Sequence, residues 1–172
     1  MRIFDRSRVE AYCGPTTLYH IIAGILPWVL FLGTVIAMVA AWGRIPEQIP
    51  MQTDIHGNIT EWGAKSSLIW LGAIYFIINL TLLIVSFFPQ SWNTSVRVSA
   101  FGIGKRNNVT NYRLTRDLLC DLRITMSILF SGVLLWAAFG SAGIFGTVFN
   151  IAVPLLILIP LARFLVRMYL FR

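Results

Sequence analysis

Long stretches without a charged residue constrain this chain more than any other feature of its sequence. Residues 21–42, 68–88 and 124–162 form runs of 22, 21 and 39 residues that contain no Asp, Glu, Lys or Arg. A bilayer core of about 30 Å needs about 20 apolar residues in a helix, so the first two runs each predict one span. The third run is long enough for two spans, and the small residues at 140–143 predict a turn that divides it. We therefore predict an all-α membrane protein with four transmembrane helices, at about 21–42, 68–88, 124–141 and 145–164.

The composition excludes the other common classes of chain. Hydrophobic residues make up 57% of the sequence and charged residues 12%, whereas a soluble domain is about 25% charged. So few polar side chains cannot cover a globule, and so many large apolar groups exclude a disordered tail. We expect residues 1–172 to form a single integral membrane domain. Its two cysteines, Cys13 and Cys120, are too few for a disulfide framework.

The positions of the basic residues predict the orientation. Of the 14 Lys and Arg residues, 12 lie in the N-terminal arm, the second loop and the C-terminal tail, and only Arg44 and Lys65 lie in the first loop. Basic residues accumulate on the cytoplasmic side of membrane proteins. We therefore expect a multi-pass protein of the cytoplasmic membrane with both termini inside. The basic residues behind the net charge of +7 lie between the apolar runs, where they set the orientation. We therefore expect no nucleic-acid partner.

The inner loop, residues 89–123, changes character along its length. Its first part is rich in Ser, Gly and Asn, whereas from Asn111 the leucines fall four apart at Leu114, Leu118 and Leu122. This spacing predicts a basic amphipathic helix that lies on the inner leaflet and runs into the third span. Arg113 and Asp117 have the spacing of a helical ion pair. The partner expected for this basic loop is the lipid bilayer, and the alternative is a cytoplasmic protein.

The outer loop, residues 43–67, carries most of the candidate binding groups. It contains the repeat IPEQIP, whose prolines predict extended backbone, and a turn at His56-Gly57-Asn58 in which glycine is free to adopt a positive φ. Its Trp-Gly pair places an aromatic ring near the headgroups. The candidate ligand-binding residues are Pro46, Pro50, Gln52, Asp54, His56, Gly57, Glu61, Trp62, Gly63 and Lys65.

Two structural interpretations of the same loop stand beside the binding role. Asp54, His56 and Glu61 lie within eight residues, but they lack the spacing of a metal site, so we expect no metal and a hydrogen-bonded loop that caps the helices. Lys65 lies four residues after Glu61. We expect it to pair with that carboxylate or to extend to the outer headgroups, and the alternative is a contact to an acidic ligand.

The same loop resembles a known family. Pro46, Pro50 and Gly57, followed by Trp62-Gly63 and Lys65, are similar to the extracytoplasmic motif of the small membrane domain of unknown function in SdpI-type proteins. These are bacterial immunity proteins against a secreted peptide toxin. Gln52 departs from the pattern, because the family usually has His there, and His56 is out of register. The resemblance implies a four-helix bacterial membrane domain that binds a peptide toxin or an envelope lipid on its outer side.

The spans themselves offer little chemistry. They contain no ionisable Asp, Glu, Lys or Arg, which argues against a pump or an ion-coupled transporter. Asn79 is the most polar side chain at depth, and we expect it to bond across helices. No nucleophile–base motif or nucleotide-binding loop is present. We therefore expect neither an enzyme nor a cofactor.

Two functions from different classes follow. The first is immunity or protection, in which the outer loop binds a membrane-active peptide or a lipid. The resemblance also implies recruitment of a cytoplasmic repressor by the inner loop. The second is a structural or accessory subunit of a membrane transport complex, or a small homo-oligomeric facilitator. For this second function the close helix contacts would use the small residues Gly132, Gly140, Gly143 and Gly146.

Overall fold

A computed structural model of the chain describes residues 6–54, 56–89, 108–140 and 144–170. The first part of the inner loop, with Arg97, Lys105 and Arg106, lies outside the described residues, as do residues 141–143. The elements in chain order are α1 (Arg6–Cys13), α2 (Leu18–Ala41), β1 (Gln48–Thr53), β2 (Ile59–Ala64), α3 (Ser67–Ser86), α4 (Asn108–Phe139) and α5 (Ile144–Leu170), with a short 3-10 turn at Trp42–Arg44 after α2.

Three helical segments are long and apolar enough to cross a membrane. They are Leu18–Arg44, Ser67–Ser86 and Tyr112–Phe139, with 27, 20 and 28 residues. At 1.5 Å per residue, each reaches or exceeds the thickness of a bilayer core. The expectation of a mostly helical protein with helices long and apolar enough to cross a membrane is thereby confirmed. The fourth predicted span falls within α5, which has 27 residues.

Helix α4 is the centre of the bundle, because it packs against α1, α2, α3 and α5. Small residues let the neighbours approach it closely: Ser127, Ser131, Ala137 and Ala138 are all buried. Small side chains at helix contacts favour close packing in membranes, where the lipid provides no hydrophobic drive between helices. The large apolar side chains of α2, α3 and α5 instead cover much of the outer surface, as expected for a surface that faces lipid.

The amphipathic helix predicted to run into the third span is present, but it is packed inside the bundle. It is the first part of α4, which runs without interruption from Asn108 to Phe139. Leu114 is buried as its spacing suggests, but Arg116 and Arg123 are buried as well. The expected pair between Arg113 and Asp117 is replaced by contacts to other elements, because Asp117 binds α2 and α5. The leucine pattern correctly indicated a helix but not its position inside the bundle.

The outer loop forms a β-hairpin, and the second half of the proline repeat has the extended backbone that the sequence predicted. Strands β1 and β2 pair antiparallel, with Ile49 opposite Gly63 and Pro50 opposite Trp62. Gly57 adopts φ +82 in the connecting turn, as the sequence predicted.

The helix break predicted at Gly140 is also present, since α4 ends at Phe139. A Cβ on Gly140 would lie 2.3 Å from the Trp136 carbonyl oxygen, so the end of α4 leaves no room for a side chain at this position.

Candidate functional site

The base of the hairpin is buried in the helix bundle. Ile45 and Ile49, the isoleucines of the IPEQIP repeat, belong to one apolar cluster with Leu68, Tyr75 and Leu134. Both isoleucines are almost fully inaccessible. The four-residue repeat therefore has a structural reason. It places two branched side chains in an apolar cluster with residues of α2, α3 and α4, and the prolines that follow each isoleucine hold the backbone extended.

Lys65 is part of this anchor and not an exposed contact residue. Only 8% of it is exposed. Its Nζ lies 3.7 Å from Glu47 Oε1 and 4.8 Å from the centre of the Trp42 ring. Its backbone N–H donates to the Glu47 carbonyl at 3.0 Å. The pairing with Glu61 expected from helical spacing is wrong, because Glu61 lies in a strand and the i, i+4 geometry does not apply there.

The outer part of the hairpin presents an exposed aromatic and an exposed thioether. Trp62 is 55% exposed and Met51 is 46% exposed. A Cβ on Gly63 would lie 2.4 Å from Met51 Cγ, so the absence of a side chain at Gly63 gives Met51 its place across the strands. Of the other candidate residues, Pro50 is buried opposite Trp62, whereas Pro46, Gln52, His56 and Glu61 are exposed.

Asp54 organises the turn of the hairpin. Its Oδ1 accepts hydrogen bonds from the backbone N–H groups of His56 and Asn58, at 2.9 and 2.8 Å, and its Oδ2 accepts one from Asn58 Nδ2 at 2.9 Å. The side-chain and backbone bonds from Asn58 lower the pKa of this carboxyl below its ordinary value, because they favour the charged form. Among the described residues, no three His, Cys, Asp or Glu side chains are grouped to hold a metal ion.

We expect acid to loosen this turn. Since the folded pKa of Asp54 is lowered, its stabilising contribution is present above the unfolded pKa of about 3.9 and is lost as the pH falls through the folded value. Hydrogen exchange at the amides of His56 and Asn58, corrected for intrinsic rates, should show less protection at about pH 3 than at about pH 6. The Asp54→Asn variant should show no such difference. Equal protection of the unmodified turn at both pH values would contradict the role assigned to Asp54.

A polar cluster links the helices beneath the hairpin. The Ser127 hydroxyl donates to Asn79 Oδ1 at 3.1 Å, so the amide of α3 bonds to α4. The Tyr75 hydroxyl lies 3.2 Å from the Ser127 carbonyl and 3.2 Å from the Ser131 hydroxyl. All four side chains are buried. These polar groups hydrogen-bond to one another within the bundle, and this arrangement indicates a structural role.

The opposite end of the bundle, which we call the basic end, contains two parallel sets of polar contacts. In the first set, Asp117 on α4 accepts from Arg167 on α5 and from His20 on α2, the latter at 3.0 Å. The Thr17 backbone N–H donates to His20 Nδ1 at 3.1 Å, so the ring proton is on Nε2, which faces the carboxylate. The first set therefore joins α2, α4 and α5.

The second set repeats the first one helical turn away. Asp121 accepts from Arg163 Nη1 at 2.7 Å and from the Tyr19 hydroxyl. The Arg163 guanidinium also lies over the Tyr19 ring, at 5.2 Å from its centre. Neither set was expected from the sequence. The signal that could have found them was a pair of aspartates four residues apart on one helix and a pair of arginines four apart on another, which match in spacing and charge.

Two cavities lie at the basic end. The larger, of about 450 Å³, is lined by Arg113, Arg163, Arg167, Asp117 and other residues beside the first set of contacts. The smaller, of about 170 Å³, is lined by Arg116, Arg123 and His20 together with apolar residues of α2 and α3. Arg113, Arg116 and Arg123 all contact α1, α2 or the turn between them, so three basic side chains of the inner loop are engaged within the protein itself.

The cysteines offer no reactive site. Cys13 and Cys120 are both free and buried. Burial raises the pKa of the Cys13 thiol to about 11, although the nearby Arg116 and Arg113 act in the opposite direction. This thiol is therefore protonated at neutral pH, and a protonated thiol is a poor nucleophile and metal ligand.

Comparison with known families found one match. Residues 29–78 match DUF1648, which is described as a domain of unknown function. The matched segment contains the second part of α2, the whole hairpin and the first part of α3, which is less than half of the chain. Comparisons with curated proteins and with solved structures found no significant match. The hairpin and the two helices that hold it are thus similar to a domain whose function is unknown.

Proposed function

We propose that this protein crosses the bacterial cytoplasmic membrane four times, with both termini in the cytoplasm and the hairpin outside. Helix α5 supplies the fourth span, since it carries no charged residue before Arg163. The orientation is supported by the placement of the charges. The hairpin follows α2 at one end of the bundle, whereas Arg163 and Arg167 contact aspartates at the other end. The basic end is then cytoplasmic, as the positive-inside rule favours.

In this orientation the hairpin binds a membrane-active peptide at the outer surface and so protects the cell against it. The observation that carries this proposal is the difference in solvent exposure between the base of the hairpin and its outer part. Ile45, Ile49 and Lys65 hold its base in the bundle, while Trp62 and Met51 remain exposed. A large aromatic on a rigid support is the usual centre of a binding surface, because little conformational entropy is lost when the partner binds. Methionine adds an adaptable apolar contact.

The strand edges favour an extended peptide as the partner. The sheet has two strands, so in the described part of the chain each strand has one edge without a neighbouring strand. Such an edge offers N–H and C=O groups that a peptide can pair with by adding a strand. Trp62 lies in β2. A membrane-active peptide paired with the free edge of this strand would place its apolar side chains against the Trp62 ring. The resemblance to SdpI-type immunity proteins favours this assignment, and the hairpin that carries the resemblance lies within the segment that matches the family of unknown function.

The test is a protection assay in a sensitive bacterial host. Cells that express the unmodified chain are challenged with a panel of secreted membrane-depolarising peptides, and the membrane potential is followed by a fluorescent dye. We expect protection against at least one peptide. Trp62→Ala should raise the sensitivity roughly 30-fold, since removal of a central aromatic anchor costs about 2 kcal/mol of binding.

The matched control is Trp70→Ala. Trp70 is also an exposed tryptophan, but it lies on α3 and outside the hairpin. This variant should protect as well as the unmodified chain, with equal amounts of each protein in the membrane fraction by immunoblot. Equal loss of protection in the two variants would contradict a binding role for the hairpin. So would a panel in which no peptide is attenuated.

A further inference from the structure

Two buried arginines line the smaller cavity at the basic end, and neither has a carboxylate partner in the part of the chain that the structure describes. Arg116 is 7% exposed and Arg123 is 3% exposed. Arg116 donates to the Gly14 carbonyl at 3.3 Å and to the Thr16 hydroxyl at 2.9 Å. Arg123 donates from Nη2 to the Gly24 carbonyl at 3.3 Å, and its buried Nε has no hydrogen-bond partner among the described residues.

Acidic side chains at this end are already occupied. Asp117 pairs with Arg167 and Asp121 with Arg163, while neither Arg116 nor Arg123 forms an ion pair within the described residues. The sequence shows the same shortage of acidic residues for the whole of this side of the membrane. The side of the membrane that carries 12 basic residues has only four acids, which are Asp5, Glu10, Asp117 and Asp121. A counter-ion for the two buried arginines is therefore more readily supplied from outside the chain.

The energetics favour an anion in the cavity. Burial of a guanidinium away from water carries a large desolvation penalty unless an opposite charge and hydrogen bonds compensate. The five N–H donors of an arginine form a fork that fits the oxygens of a phosphate. The cavity volume of about 170 Å³ exceeds that of a single water molecule, which occupies about 30 Å³ in the liquid.

The remaining walls of the cavity indicate where the anion comes from. Ile21 and Ile25 of α2, Leu83 of α3 and Phe87, which follows α3, line it beside the two arginines. Ile21 and Ile25 also belong to the exposed apolar surface of the bundle. We propose that the cavity binds the phosphate group of an anionic phospholipid from the leaflet at the basic end, with an acyl chain along α2. Basic pockets between membrane helices bind anionic headgroups by the same chemistry.

The proposal is tested by the unfolding temperature of the purified full chain in a non-ionic detergent. The three additions are phosphatidylglycerol, phosphatidylcholine with the same acyl chains, and inorganic phosphate. Phosphatidylglycerol at about 100 times its Kd should raise the unfolding temperature by about 5 °C, and the other two should not. An equal rise with phosphatidylcholine would overturn the role of the anionic headgroup. A full rise with inorganic phosphate alone would overturn the lipid as its source.

Two variants locate the effect. Arg123→Met removes the buried charge, and Gly24→Leu fills the cavity without changing any charge, since a Cβ on Gly24 meets no atom within 4 Å. Both should lose the rise caused by phosphatidylglycerol. The matched controls are Arg44→Met, at the hairpin end, and Gly33→Leu, at an equally open position of α2. Both controls should keep the rise. A normal rise in Gly24→Leu would overturn the cavity as the binding site, even if Arg123→Met does not fold.

Discussion

Replacement of Lys65 by glutamate should lower the free energy of unfolding by about 3 kcal/mol. The side chain at this position is 10% exposed and lies between the Trp42 ring and the Glu47 carboxylate. Glutamate there would bury a negative charge beside another one and would lose the attraction to the ring. The base of the hairpin would then loosen from Trp42 at the end of α2, because the Lys65 side chain packs over this ring.

Lys65→Met is the matched variant. It keeps a flexible apolar stem against Trp42 and removes only the ammonium group. Since the Glu47 side chain is 90% exposed, water can solvate its carboxylate, and the loss should stay within about 1 kcal/mol. Denaturant unfolding in detergent micelles, followed by far-UV circular dichroism, measures both changes. If Lys65→Met were as destabilising as Lys65→Glu, the essential property of this residue would be its charge, and packing of its stem against Trp42 would not be what anchors the hairpin.

Replacement of Tyr75 by alanine should also destabilise the bundle by about 3 kcal/mol, through the cavity that it leaves. Tyr75 is completely buried. Its ring stacks on Phe130 at 5.4 Å and meets Phe31 edge to face at 5.0 Å. It thus joins α2, α3 and α4 at one level. Loss of the ring removes contacts to two helices at once, and lipid cannot easily fill an enclosed space of this shape.

Tyr75→Phe separates the ring from the hydroxyl. It should cost only about 1 kcal/mol, because hydrogen bonds between membrane helices contribute roughly this much. Ile77→Ala, at an exposed position of the same helix, should have little effect. The same micelle unfolding assay applies. A smaller loss for Tyr75→Ala than for Ile77→Ala would show that α3 does not pack on α4 through Tyr75.

Burial of Lys65 changes the interpretation of the hairpin motif. Of the residues that suggested an SdpI-type binding loop, Pro50 and Lys65 are enclosed by the protein and Gly57 satisfies a turn. Trp62 is the motif residue with a large exposed surface. A motif of this kind therefore combines residues that shape the hairpin with a smaller number that can contact a partner. Substitutions at Lys65 are expected to act through folding, and those at Trp62 through recognition.

The long apolar helices, the turn of the hairpin and the end of α4 were accessible from the sequence because each depends on local properties. An uncharged run of about 20 residues favours a membrane helix wherever it occurs in the chain. Gly57 and Gly140 mark positions at which other residues would be strained or would clash. The asymmetry of Lys and Arg is likewise a sum over loops that needs no knowledge of packing.

The contacts that complete the fold join residues too far apart in the chain for such rules. Arg167 meets Asp117 across 50 positions, and His20 meets the same carboxylate across 97. Helical spacing alone suggested that Asp117 pairs with Arg113 and that Lys65 pairs with Glu61. Both expectations were wrong, because the actual partners come from neighbouring elements. The packing of α2 against α4 leaves Arg123 buried without an ion-paired acid among the described residues. The hydrophobicity and charge of the sequence determined which segments are helices and which end is basic, whereas tertiary packing decided which charges are paired.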